Sequence, residues 1–221
     1  MQSKCDEPND EWQERAFTLH EQGRVLEAAD LIEKASLIAP ICDQARIVLA
    51  SCYAQLRRID LARELYLELA MQRKLPIDLM LQVAAGLEAT DAPDLAMKVC
   101  EWVIEEHPES AQAYYDMGFY NARSGHPLYM TEAFTREAVR FDPGNLHFRI
   151  GLVSLLIQMH REDEAMDVFG SVDPDQIERI TCAGCLGRIA SVLQRLGRSE
   201  LAARCEAQRD SIREADPKPV R

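Results

Sequence analysis

Three cysteines near the C-terminal end carry the side chains whose type and spacing could do chemistry. Cys182 and Cys185 are separated by two residues, so on a helix they share a face. Cys205 falls where a returning antiparallel helix would bring it beside them. Three thiolates can bind zinc, but a structural site wants four ligands. No fourth is evident, since His160 falls in an earlier segment. A Cys-x2-Cys pair can also be a redox couple, usually at a helix start in an alternating strand–helix fold. Here Asp173-Pro174 reads as a helix cap with a first-turn proline. The helix it starts would run to about Leu196 and enclose both cysteines. Cys182, Cys185 and Cys205 are therefore read first as small buried apolar residues. Zinc binding and redox chemistry stand as alternatives, and no other cofactor is implied.

Nothing else in the chain points to catalysis. There is no phosphate-binding loop, dinucleotide fingerprint, HExxH or GxSxG. The five histidines, His20, His107, His126, His147 and His160, are scattered. Acidic groups such as Glu105-Glu106 and Glu162-Asp163-Glu164 fall at helix ends or on outer faces, where charge is solvated and pKa values stay ordinary. The expectation is a protein that is not an enzyme. The net charge of −12 repels phosphate backbones and excludes nucleic acid as a partner. No N-terminal apolar stretch reads as a signal peptide. The longest apolar passage, Ile150 to Met159, is too short to span a bilayer. With seven cysteines, an odd number, the reading is free thiols in a reducing, cytoplasmic setting with no membrane partner.

These side chains must be positioned by helices, because the apolar set is rich in Ala and Leu and poor in β-branched runs. Ala28, Ala62 and Ala96 are spaced 34 residues apart. Pro108 follows Pro40 by 68 residues, which is two periods, and Pro143 follows by 35. Ala165 and Ala202 continue the series with small insertions. The first period reads Trp12-x2-Arg15-Ala16-x2-Leu19, Gly23, Ala28-x3-Ile32-x2-Ala35, Pro40. Later periods carry Leu49-Ala50-x2-Tyr53 with Ala62-x3-Tyr66, and Val83-Ala84-x2-Leu87 with Ala96-x3-Cys100. Small residues (Ala16, Ala50, Ala84, Gly118) let helices approach closely, and large ones fill the space beside them. Gly23 and Gly197 fit left-handed turns.

This pattern resembles the tetratricopeptide repeat, with Arg15 in a leucine slot and Thr131 and Thr135 off-pattern. The resemblance implies an all-α, right-handed superhelical solenoid of about six helix-turn-helix repeats. The units would be 9–42, 43–76, 77–110, 111–145, 146–179 and 180–214, with disordered tails at 1–8 and 215–221. The polar second helix of the last unit, with Glu206, Arg209, Asp210 and Arg213, reads as a cap that closes the stack.

The resemblance also implies a concave groove that holds a segment of a partner protein. Carried over slot by slot, its apolar lining is Phe17, Ile47, Leu81, Tyr115, Phe119, Ile150 and Ile157. The polar lining includes His20, Arg123, His147, Gln158 and Arg195, with Gln44, Gln55, Asp78 and Glu88. Tyr115 and Phe119, one turn apart, are the expected anchors. A cationic clamp for an acidic C-terminus is not expected, because the matching slots hold Gln13, Phe17, Val48, Ser51, Asp78 and Gln82. The function expected is that of an interaction adaptor or scaffold. The alternatives are a metal- or thiol-responsive module built on the C-terminal cysteines, and a self-assembling homo-oligomeric subunit.

Overall fold

The computed structural model describes residues 11–170, 177–178, 180 and 183–215. Among them are twelve helices and no strand. The chain folds as two compact units that divide between His126 and Pro127. The first unit holds α1 (Glu11–Glu21), α2 (Val25–Ser36), α3 (Asp43–Gln55), α4 (Ile59–Met71), α5 (Ile77–Ala89), α6 (Pro93–Glu106) and α7 (Ala111–Arg123). The second holds α8 (Leu128–Phe141), α9 (Leu146–Gln158), α10 (Glu162–Phe169), α11 (Ala183–Arg195) and α12 (Ser199–Ala215). No described helix is long and apolar enough to cross a membrane.

One turn recurs through both units. Gly23, Arg57, Asp91, Gly125, His160 and Gly197 all have positive φ, between 58° and 74°. In each case the next residue's N–H donates back across the turn. Arg24 reaches the Leu19 carbonyl at 2.8 Å, Arg58 reaches Tyr53 at 2.9 Å and Ala92 reaches Leu87 at 3.0 Å. His126 reaches Asn121 at 3.2 Å, Arg161 reaches Leu156 at 2.9 Å and Arg198 reaches Leu193 at 2.8 Å. This is the Schellman closure, which satisfies a carbonyl that the helix end leaves open. The left-handed residue is a glycine three times only; elsewhere a side chain tolerates a conformation that costs about 1–2 kcal/mol. Arg57→Gly and His160→Gly are each expected to raise stability by about 0.5–1 kcal/mol, net of glycine's greater unfolded-state entropy. Urea denaturation of each variant checks this, and a lower midpoint with unchanged slope would refute it.

The small slots are where the helices meet. Ala16, Ala28, Ala50, Ala62, Ala84 and Ala96 are fully buried. Cys100 occupies an aromatic slot and is also fully buried. In the first unit each helix packs on the next, and α3 also touches both α1 and α5. A row of first helices is thereby laid side by side. In the second unit the core gathers around α9, where Leu146, Phe148, Ile150, Leu152, Val153, Leu155, Leu156 and Ile157 are all buried. The long apolar passage is thus a core helix. Asn145 caps it, its side-chain oxygen accepting the N–H groups of His147 and Phe148.

The stretch before the last pair differs from the expectation. Ile180 is not helical, and its N–H donates to the Ile177 carbonyl in a tight turn. No single helix therefore runs from near 175 to Leu196, and the described helix spans Ala183–Arg195; Asp173 and Pro174 lie outside the described residues. The 1–8 segment lies outside them too, whereas residue 215, assigned to the C-terminal tail, ends α12. On α12, Ala202 and Cys205 are buried while Asp210 and Arg213 are exposed.

Candidate functional site

The row of first helices in the first unit forms an open groove of about 530 Å3. Helix α1 supplies Phe17, His20 and Glu21; α3 supplies Gln44, Ile47, Val48 and Ser51; α5 supplies Gln82, Ala85, Gly86 and Ala89. From behind, the Tyr66 ring of α4 closes the floor. Gly86 makes this possible, because a Cβ there would lie inside the Tyr66 ring. The ring is buried, and burial pushes its phenol up to about 12 despite a hydrogen bond with Ser51. Ser51 Oγ lies 2.9 Å from His20 Nε2. Gln55 Nε2 donates to the same nitrogen at 3.1 Å and to Ser51 Oγ at 3.3 Å. Across the groove, Gln44 Nε2 donates to Gln82 Oε1 at 3.2 Å. The surface is thus apolar in its floor, amide and hydroxyl at its rim, and without a cation among the described lining residues.

The residues expected from the sequence divide three ways. Phe17, His20 and Ile47 line this groove, although Ile47 is buried and forms floor instead of contact surface. Leu81 is half-buried on α5 and does not line it. On α7, Phe119 is 50% exposed with its ring edge on Tyr120 at 5.7 Å, and Tyr115 is half-buried. Arg123 is held by Glu88 at 2.9 Å, tying α7 to α5. In the second unit His147, Gln158 and Arg195 are exposed. Desolvation and the Arg188 guanidinium hold the His147 imidazole below its usual range. Ile150 and Ile157 are a correction: both are buried in the core around α9, where the exposed face is the stripe of His147, Ser154 and Gln158. Gln13, a clamp slot, is also buried, and the Cys42 thiol donates to its oxygen.

Sequence reasoning missed Glu21, Ala85, Gly86, Ala89 and the role of Tyr66. A glycine inside an apolar helical run was the available signal at Gly86. The thiols differ in their surroundings. Cys205 is fully buried, and burial pushes its thiol up to about 11. Cys185 is half-buried on α11, with Arg188 against its sulfur at 3.8 Å. Cys182 lies outside the described residues. Among those described, no three His, Cys, Asp or Glu side chains are grouped to hold a metal.

No protein-family model and no curated protein matches the sequence. Solved structures do. The structure named for the functional characterisation of pilF from Pseudomonas aeruginosa aligns with a TM-score of 0.61 at 14% identity, covering 94% of this chain and 91% of that one. A MamA fragment from Desulfovibrio magneticus RS-1 aligns at 0.58 and 18% identity, covering 72% and 89%. A double mutant of MamA RS-1 aligns at 0.59 and 16%, covering 86% and 94%. These are tetratricopeptide-repeat proteins, and this chain has their all-helical solenoid fold.

Proposed function

We propose that this tetratricopeptide-type chain is an interaction scaffold, not an enzyme, and that the groove of its first unit holds an apolar or amphipathic segment of a partner protein. The observation that carries the reading is the groove itself, with Phe17, Val48 and Ala85 beside unspent amide hydrogen-bonding capacity on Gln44 and Gln82. Its Ser51–His20 pair resembles a nucleophile and base. No described carboxylate bonds His20 Nδ1, however, so the pair lacks the group that orients a catalytic imidazole. Cys205, buried and protonated, favours packing over metal or redox sensing. Buried thiols at Cys52, Cys100 and Cys205 suit a reducing, cytoplasmic setting.

Ala85 is exposed on the groove wall, so Ala85→Arg should fill the groove without touching the core. Immobilised wild type is expected to retain a partner from lysate of the source cells. Ala85→Arg should lose at least tenfold of it at unchanged helix content, and Phe119→Ala, outside the groove lining, should lose less. Equal retention by Ala85→Arg would place binding elsewhere.

A further inference from the structure

In a chain with 37 acidic residues and a net charge of −12, the two first helices of the second unit, α9 and α11, hold no carboxylate at all. Every first helix of the first unit carries at least one, such as Glu21 on α1, Asp43 on α3, Asp78 on α5 and Asp116 on α7. What α9 and α11 carry instead is His147, Arg149, Arg188 and Arg195. Arg149 is taken by the Val168 and Phe169 carbonyls. Arg188 reaches the Cys185 sulfur at 3.8 Å, a weak and neutral acceptor. Neither Arg188 nor Arg195 lies within ion-pair distance of a described carboxylate, and both are exposed.

The two arginines are placed to act together. Seven residues apart, they share one face of α11 with a separation of about 10 Å along its axis. Helix α11 packs on α9. Desolvation and then the charge of Arg188 hold the His147 imidazole below its usual range, so these two side chains are neighbours. The exposed stripe of α9, with His147, Ser154 and Gln158, therefore borders the exposed stripe of α11, with Arg188, Ser191 and Arg195. The second unit's described carboxylates all lie elsewhere. Glu206 of α12 accepts from Gln194 at 2.9 Å, Glu178 holds Arg204 at 2.6 Å and Asp142 accepts from Asn145 at 3.2 Å. Glu162 and Asp163 open α10 and pair with neither arginine. Like charges thus stand on one face without a counter-charge from the chain, and a guanidinium fork is the side chain that binds carboxylates best.

We infer that the face shared by α9 and α11 is a second docking surface, for an acidic segment of a partner protein, with two of its side-chain carboxylates about 10 Å apart paired to Arg188 and Arg195. The inference does not rest on the groove of the first unit. The net negative charge of the chain disfavours a nucleic acid here, whereas a short acidic segment meets mainly the local field.

The test uses three labelled peptides of equal length, rich in Glu, Gln or Lys and otherwise identical, titrated into the full chain by fluorescence anisotropy. The Glu peptide should bind most tightly and the Lys peptide least. Arg188→Gln and Arg195→Gln should each weaken the Glu peptide about three- to fivefold, the size of an exposed ion pair. The double variant should lose about tenfold or more, since effects at separated sites add. Added salt should erase the preference for Glu. Arg57→Gln, an exposed arginine of the first unit, removes the same charge and should change nothing. Ala85→Arg should leave the Glu peptide undiminished, so failure of the groove reading and failure of this inference are told apart. A double variant that keeps the Glu peptide, an equal loss in Arg57→Gln, or failure of the Glu peptide to bind overturns the inference. A single-stranded oligonucleotide that binds more tightly than the Glu peptide assigns the face to phosphate and overturns it too.

Discussion

Gly86→Ala is expected to destabilise the protein by about 2–4 kcal/mol, although alanine is the better helix former by about 1 kcal/mol. The added methyl must occupy space held by the Tyr66 ring, which is only 3% exposed and cannot swing into solvent. Overpacking of this kind costs about 1–3 kcal/mol or more, and the displaced phenol also loses its Ser51 hydrogen bond. Tyr66→Ala alone should cost about 3–5 kcal/mol, as large aromatic truncations do. The double variant is decisive. With the ring gone, Gly86→Ala should become neutral or stabilising by up to about 1 kcal/mol, so the sign of one substitution depends on the other. Denaturant titration of the four proteins gives the cycle. A Gly86→Ala protein more stable than wild type would show that the ring is not held against the glycine. Because Tyr66 is the groove floor, Gly86→Ala should also weaken groove ligands at temperatures where the chain remains folded.

The repeat was legible because spacing survives substitution. Ala28, Ala62 and Ala96 mark the period since any larger side chain there would force two helices apart. Other slots tolerate any residue that meets a physical need. Cys100 fills an aromatic position because it is apolar and buried. Thr131 and Thr135 serve in small and aromatic slots because the Thr135 hydroxyl donates to the Thr131 carbonyl, which satisfies the hydroxyl internally. Arg57, Asp91 and His160 occupy left-handed turns that only glycine would have signalled. Substitutions like these leave the physics of the repeat intact while erasing the residue identities that a sequence comparison counts.

The groove was less legible than the fold. Slot arithmetic named Phe17, His20 and Ile47, and all three lie along the groove between α1, α3 and α5. It treated α9 as another such helix, but there only the stripe of His147, Ser154 and Gln158 is exposed, and Ile150 and Ile157 beside it go to the core.

Titration should separate the two units by the sign of their pH dependence. In the first unit, burial pushes the Asp116 carboxyl up to about 6, against a hydrogen bond from Gln112 that favours its charged form. Asp116 acts on the buried Cys100 thiol and Tyr120 phenol, and its charge pushes both further up. The folded state therefore binds this proton more tightly than the unfolded chain, whose carboxyl titrates near 4. Stability from this group is greatest below about pH 4, falls as pH rises through the interval to about 6, and stays low above it. Asp116→Asn, which keeps a hydrogen-bond acceptor without the charge, should stabilise the protein at pH 7 by up to about 3 kcal/mol, the linkage value of the shift. Its effect should shrink towards zero at pH 4.

Glu132 in the second unit works the other way. Burial pushes its carboxyl up, but hydrogen bonds from Arg136 and Arg161, both at 2.7 Å, outweigh that and hold it below the usual range. Its contribution is present above about pH 4.5 and is lost as pH falls through the lowered folded value. Glu132→Gln should thus cost about 1–3 kcal/mol at pH 7, the worth of hydrogen bonds to a charged group, and converge with wild type in acid. Thermal denaturation of both variants and wild type at pH 4 and 7 reads the two effects together. Asp116→Asn melting no higher than wild type at pH 7 would mean that the carboxylate is solvated and α7 less closely packed than its contacts with Cys100 require.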